Sequence, residues 1–375
     1  MKPKFTFVNS ELDRIKKNHL HRKLIDSTTH GGTITIRGKN IINLCSNDYL
    51  GINTAGMRVK KMQSSSRLVS GNDKSYGVLE KKLAQHKSQH ASLVFPTGYM
   101  ANMGAISAIT KKGDLILSDE LNHASIIESC KLSGAKTAIY KHNDMKDLNR
   151  KLKQKSKNKF VVTEGIFSMD GDFSKLREIA EISQKTNSIV ILDDAHGDFV
   201  MGKDGKGTAD YLGVSKEIDL YVSSLSKGLG SFGGYVASQK NVIDLCINKS
   251  KSFIYTSALP SFLVEESLKR FDSDREKQRK RLQVNVGLLL GGLQEIGYVV
   301  NSKTHIIPII IGEEKTAMDV GKFLFENGVY AQPIRYPTVP KGEARLRISV
   351  TARLSFKNIE SALAVFDKVY KKFIK

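Results

Sequence analysis

No stretch of this sequence stays apolar for the ~18 residues that a membrane-spanning helix needs. Its first residues, MKPKFTFVNSELDR, hold no continuous apolar segment of the signal-peptide kind. Both absences lead us to expect a soluble, cytoplasmic protein with no membrane partner. Cysteine is scarce: Cys45, Cys130 and Cys246 form neither a CxxC pair nor an even set, so a disulfide framework is excluded and scattered buried thiols are expected. Zinc-finger spacing, an RNP-like aromatic motif, internal repeats and low-complexity linkers are also missing, and no metal site is expected. Acidic residues are the minority, 38 against 59 Lys and Arg, for a formal charge of +21. The basic run RKLKQKSKNK (150–159) has no interleaved aromatics to stack on bases, and the run DREKQRKR (274–281) is of mixed sign. We therefore expect a lysine-rich solvated face with no specific nucleic-acid partner. Such a field also suits a polyanionic small substrate.

What is present is enough apolar sequence, 40% of 375 residues, for a large core in two domains. Residues 1–45 are expected to form a helix and a hairpin segment, the hairpin turning near Arg37-Gly38-Lys39-Asn40. Residues 46–258 alternate helical stretches with short apolar runs at 92–95, 115–117, 160–163, 189–192, 219–222 and 234–237. That alternation predicts an α/β domain around a mostly parallel sheet. Residues 259–375 change character: a long charged helical stretch over 261–291, strands near Val299 and over 306–311, and helices over 316–327 and 359–374 predict a smaller α+β domain.

In open α/β sheets ligands bind beyond the carboxyl ends of the strands. Glu164 and Ser168 follow one strand end, Asp193 and His196 the next, and Lys227 a third. Lys227 lies in SSLSKGLGSFGG (223–234), among small residues. An amine in such a dry loop loses part of its preference for the charged form and becomes a nucleophile or base able to form Schiff bases. A carboxylate such as Asp193 can keep a pyridine nitrogen protonated, as an electron-sink cofactor requires. The start of a helix at Thr97-Gly98-Tyr99-Met100 can hold a phosphate. Each feature has an ordinary alternative: a surface lysine, a helix-capping aspartate, a structural histidine.

Taken together the motifs resemble the α-oxoamine synthases, within the aspartate-aminotransferase-like fold type I class of pyridoxal-phosphate (PLP) enzymes. The carriers are CSNDYLG (45–51), SRLVSG (66–71), PTGYMAN (96–102), LNHASI (121–126), VVTEGIFSMDGD (161–172), LDDAHG (192–197), SSLSKGLGSFGG, FIYTSALP (253–260) and PTVPKGEARLRIS (337–349). The resemblance implies the cofactor pyridoxal 5'-phosphate, bound covalently by Lys227, which also moves the Cα proton. It implies Asp193 at the ring nitrogen, His196 at the ring oxygen and His123 stacked on the ring face. Gly98, Tyr99 and Ser224 would hold the phosphate, with Thr256 and Ser257 reaching the phosphate of a neighbouring subunit in a homodimer with shared sites. Asn47 and Ser168 would line the substrate pocket, Glu164 would support it, and Arg347 would grip the amino-acid carboxylate. Arg345 competes for that role and is otherwise a surface strand charge. Arg22 would attract the far carboxylate of the acyl chain. SRLVSG and EGIFSMDGD look most like the biotin-pathway branch, an acyltransferase joining L-alanine to a pimeloyl thioester carried by CoA or an acyl-carrier protein. Glycine C-acetyltransferase is the alternative within the family; a basic nucleic-acid-binding protein on an inactive scaffold is the alternative outside it. Three departures bear on acyl-chain preference: a short segment between Gly51 and Ser66, and Tyr76 and Leu354 where histidine is frequent.

Overall fold

The computed structural model describes residues 13–18, 27–52 and 65–375. Arg22 and most of the short segment after Gly51 lie outside the described residues. Of the described residues, those up to Ser46, Met169–Gly171 and Arg281–Lys375 cluster as one compact unit, and those within Asn47–Ser168 with Asp172–Lys280 as another.

In the first unit, strands β1 (Ser27–His30), β2 (Thr33–Ile36) and β3 (Lys39–Asn43) form an antiparallel meander. β2 and β3 are joined by the two residues Arg37 and Gly38, whose φ values of 49° and 75° suit a tight hairpin turn that follows strand twist. Alternation places Ile34, Ile36 and Ile41 on one covered face. The remaining strands of this unit follow the second unit in sequence and are described after it.

The second unit is built on a seven-stranded sheet. Its strands are β4 (Ala91–Phe95), β5 (Leu115–Asp119), β6 (Lys136–Tyr140), β7 (Lys159–Glu164), β8 (Ile189–Asp193), β9 (Leu220–Ser224) and β10 (Gly234–Ser238), in the order β4-β10-β9-β8-β7-β5-β6. The pairs β5–β6, β5–β7, β7–β8 and β8–β9 are parallel, and only β10 runs against its neighbours. Strands β5, β9 and β10 are buried at every position, which is why each reads as a short apolar run before its closing Ser or Asp residues. Helix Gly98–Ile109 packs on them through the small residues Ala101, Ala105 and Ala108, so helix and sheet approach closely.

The first unit resumes with β11 (Ile306–Gly312), β13 (Pro333–Ile334) and β14 (Ala344–Ser349), an antiparallel sheet in the order β11-β14-β13. β12 (Val329–Tyr330) instead pairs parallel with β3. Among the described residues no helix is long and apolar enough to cross a membrane.

Three expectations need correcting. Sequence reading passed over β6, whose KTAIY is largely exposed; it is the sheet's edge, and an edge strand shows no apolar run. Val299 is 98% exposed and lies outside any strand. The stretch 261–291 is two helices, Ser261–Asp272 and Glu276–Ile296. Ser273 is extended (ψ 155°) and Asp274 Oδ1 accepts the Glu276 amide at 3.0 Å, a local cap that outcompetes continuation of the helix.

His142, just beyond β6, bridges two carboxylates in the second unit. Its Nδ1 lies 2.9 Å from Asp119 Oδ1 and its Nε2 2.9 Å from Asp172 Oδ2. Burial opposes its charge, but the two carboxylates outweigh that and push its pKa up to about 10. A histidine whose folded pKa is raised stabilises fully below its unfolded value of about 6.5, and the contribution fades as pH rises through the folded value. Urea midpoints of the native protein should therefore fall between about pH 6.5 and about pH 10 more steeply than those of His142→Asn. Equal slopes would show that the bridge adds nothing.

Candidate active site

The carboxyl ends of β7, β8 and β9 are in register: Glu164 stands opposite Asp193, and Asp193 opposite Val222. The loops leaving these ends enclose a cavity of about 220 Å³ lined by Glu164, Asp193, Ser224 and Lys227 from the strand ends, by Gly98, Tyr99 and Asn102 from the helix start, and by His123. The structure thus brings together seven of the residues that the sequence singled out, with Asn102 beside them.

Lys227 is half-buried, with its Nζ 2.9 Å from His196 Nε2. On the far side of the imidazole, Nδ1 lies 2.7 Å from the Tyr49 hydroxyl, which also donates to Asn47 Oδ1 at 3.1 Å. Asn47, Tyr49, His196 and Lys227 so form one polar chain, with Tyr49 and His196 buried. The glycines beside Lys227 have a packing cause. A Cβ on Gly228 would run into the Asp198 carbonyl and sit 3.1 Å from Phe199 Cβ, and Gly230 and Gly233 take φ values of 68° and 112°. Small residues are needed here for the loop to lie flat on the 198–200 segment; Gly228 does not face the cavity.

Asp193 ends β8 with its carboxylate satisfied by donors: Asn102 Nδ2 at 2.6 Å and the Ala195 amide at 3.0 Å. The segment that follows is fixed from behind by a buried ammonium. Lys87 Nζ reaches Asp194 Oδ2 at 3.0 Å, Asp198 Oδ1 at 2.7 Å and the Lys206 carbonyl at 2.8 Å. His86 Nε2 and the Tyr235 hydroxyl complete the Asp198 shell at 3.0 and 2.5 Å. Burial works against the Lys87 charge, but the two carboxylates more than restore it and its pKa rises.

His123 caps helix Ala124–Ser133, its Nδ1 accepting the Ser125 amide at 3.2 Å. Its ring opens into the cavity edge-on to Tyr99, with centroids 6.1 Å apart. Desolvation outweighs the opposing Asp193 charge and, with help from nearby Lys227, pushes its pKa down, which favours the neutral ring suited to stacking. Gly98 opens its helix against Ser224, where a Cβ would lie 3.1 Å from Ser224 Cβ, and a Cβ on Gly234 would lie 2.5 Å from Gly98 N. This leaves first-turn amides, those a helix cannot satisfy internally, at the cavity wall.

Other candidates lie elsewhere. Ser168 is half-buried and not among the lining residues. Thr256 and Ser257 line a separate crevice with Arg67, Tyr76 and Phe253. Tyr76, standing where histidine is frequent, is fully buried with its hydroxyl donating to the Leu259 carbonyl at 2.5 Å and Arg67 stacked 3.9 Å above its ring. Arg347 belongs to the other compact unit, on β14, where its Nη1 donates to Ser349 Oγ at 2.8 Å. Arg345, the competitor for its role, is not a surface strand charge: it is 3% exposed and ion-paired with Asp170 and Glu343.

Sequence reading missed Asn102, Tyr49 and Ser226. Asn102 stands four residues after Gly98, hence on the same helix face, and that spacing was its signal. Ser226 Oγ lies 2.9 Å from Ser224 Oγ at the cavity wall. Tyr49 gave none beyond its motif, since its partner is 147 positions away. Asn102→Ala would leave Asp193 short of a donor inside the core and should cost about 1–3 kcal/mol in urea denaturation. Asn102→Asp, which sets a second carboxylate beside the first, should cost more; equal losses would mean that only packing volume matters.

The chain is 40% identical to the 8-amino-7-oxononanoate synthase of Thermoanaerobacter pseudethanolicus, across 97% of each chain. Among solved structures it is similar to Sphingomonas wittichii serine palmitoyltransferase, with a TM-score of 0.91 and 27% identity over 98% of this chain and 97% of that one. It is also similar to the 8-amino-7-oxononanoate synthase of Francisella tularensis, with a TM-score of 0.76 and 29% identity over 88% and 98%. The profile of the aminotransferase class I and II family matches residues 39–366. With Lys227, Asp193 and His123 gathered on one cavity and His196 bonded to that lysine, the chain belongs to the aminotransferase class I and II family and shares the fold type I architecture of its PLP-dependent members.

Proposed function

We propose that this protein condenses L-alanine with a pimeloyl thioester, releasing CO₂ and the free thiol and leaving 8-amino-7-oxononanoate. The observation that carries this reading is the identity of 40% across nearly the whole length of a synthase bearing that product's name.

The cavity fits PLP. It offers one amine, one carboxylate held by two donors, first-turn helix amides, the hydroxyls of Ser224 and Ser226, and a neutral imidazole. Ser223 Oγ, at the same wall, is buried without a hydrogen-bond partner. In this reading Lys227 holds the cofactor covalently, Asp193 keeps its ring nitrogen protonated, and the amides of Gly98 and Tyr99 with Ser224 take its phosphate. When bound, the cofactor supplies an electron sink that makes the alanine Cα–H acidic. Lys227 Nζ removes that proton and later returns one. His196 Nε2, 2.9 Å away, accepts a proton from the amine and hands it back. Asn102 and the Ala195 amide hold the Asp193 carboxylate in place, each donating to one of its oxygens. Arg347 takes the amino-acid carboxylate before decarboxylation, and Asn47 and Ser168 line the substrate pocket. Thr256 and Ser257 serve the phosphate of a second subunit in a homodimer; their place in a separate crevice supports that division.

Purified protein should be yellow, and Lys227→Ala should lose that absorbance together with about 10²–10⁴-fold in turnover. Product mass and CO₂ release should be seen with alanine and pimeloyl-CoA or the pimeloyl carrier protein, and not with glycine and acetyl-CoA or serine and palmitoyl-CoA. Faster turnover of either of the latter pairs would overturn the substrate assignment and leave the cofactor chemistry standing.

A further inference from the structure

Two carboxyls face one another at the ends of adjacent parallel strands, and their surroundings differ. Asp193 receives the Asn102 side chain and the Ala195 amide. Glu164, its register partner, is 3% exposed, and its Oε1 has no hydrogen-bond partner while the residue lines the cavity. The His123 backbone amide acts on this carboxyl in the opposite sense to burial. Two like charges at neighbouring positions in a dry site cannot both be held, and the one with fewer donors takes the proton. Burial and then the Asp193 charge raise the Glu164 pKa well above the ordinary range; Asp119 acts in the same sense, and Lys227 opposes them.

We propose that Glu164 is an uncharged carboxylic acid in the resting protein and donates its proton in a hydrogen bond to a negatively charged oxygen, phenolate or carboxylate, of whatever fills the Lys227 cavity. Its role is binding and positioning, with no bond made or broken. A carboxylate at this place would repel such an oxygen; a neutral acid attracts it, and Oε1 is the unpartnered atom available for the contact. The proposal rests on the cofactor class and is independent of which acyl donor is used.

Infrared difference spectra of the ligand-free protein against Glu164→Gln read the proton directly. A protonated-carboxyl stretch, shifted in D₂O, should be present in the native protein at neutral pH and absent from the variant. PLP titrations supply the second readout. Glu164→Gln keeps a neutral N–H donor and should bind within about threefold of the native protein, whereas the apolar isostere Glu164→Met should bind about tenfold more weakly. As pH rises and Glu164 ionises, native affinity should fall and that of Glu164→Gln should not. Absence of the carboxyl band would overturn the proposal. A band present with Glu164→Gln as weak as Glu164→Met would overturn the donor role. Neither readout depends on the pimeloyl assay, so failure here and failure of the substrate assignment can be told apart.

Discussion

One buried ammonium organises the catalytic side of the sheet. Lys87 has almost no exposure, yet it meets two carboxylates and a carbonyl within hydrogen-bonding distance. Those carboxylates, Asp194 and Asp198, bracket Ala195 and His196, so the amine fixes the turn that carries the imidazole toward Lys227. Breaking such a pair by removing one partner costs about 3–5 kcal/mol, because a charge is left unpaired in the interior. The same turn supplies the Asp198–Val200 surface on which the Lys227 loop lies, so two of the three functional strand ends share one support. The third, the end of β7, is tied to them by register and by the Gly165 amide, which donates to the Asp193 carbonyl at 2.8 Å.

The general plan of the second unit could be read from the residues because parallel strands covered on both faces must be apolar throughout, and functional side chains must stand just past them. Lys227, Asp193, His196 and Glu164 were placed by that rule. Where the rule has no purchase the reading failed. β6 lies at an edge and alternates weakly. Val299 looked like a strand by side-chain type, but nothing covers it. The break at Ser273 rests on one aspartate hydrogen bond within an otherwise helical pattern. Tyr49 and Asn102 act through partners far along the chain, and Arg345 is buried by neighbours that sequence spacing cannot reveal. Long-range pairing was the illegible part.

The charge imbalance acquires a meaning from burial. Asp114, Asp119, Asp147, Glu164, Asp193, Asp194, Asp198 and Glu266 are all withdrawn from solvent, against few buried cations. The surface is therefore more positive relative to its acidic content than the composition alone conveys. For a protein whose proposed partners carry phosphates and carboxylates, such a field raises their local concentration and speeds encounter, an advantage that salt should weaken.

The thiols have a practical consequence. Cys45 and Cys246 are pushed up to about 12 by burial, and Cys130 to about 11. At neutral pH almost none of any of them is thiolate, the form that reacts with electrophiles. The native chain should thus take up little maleimide and need little reductant in storage, so one cysteine engineered on the outside would accept a fluorophore against a quiet background.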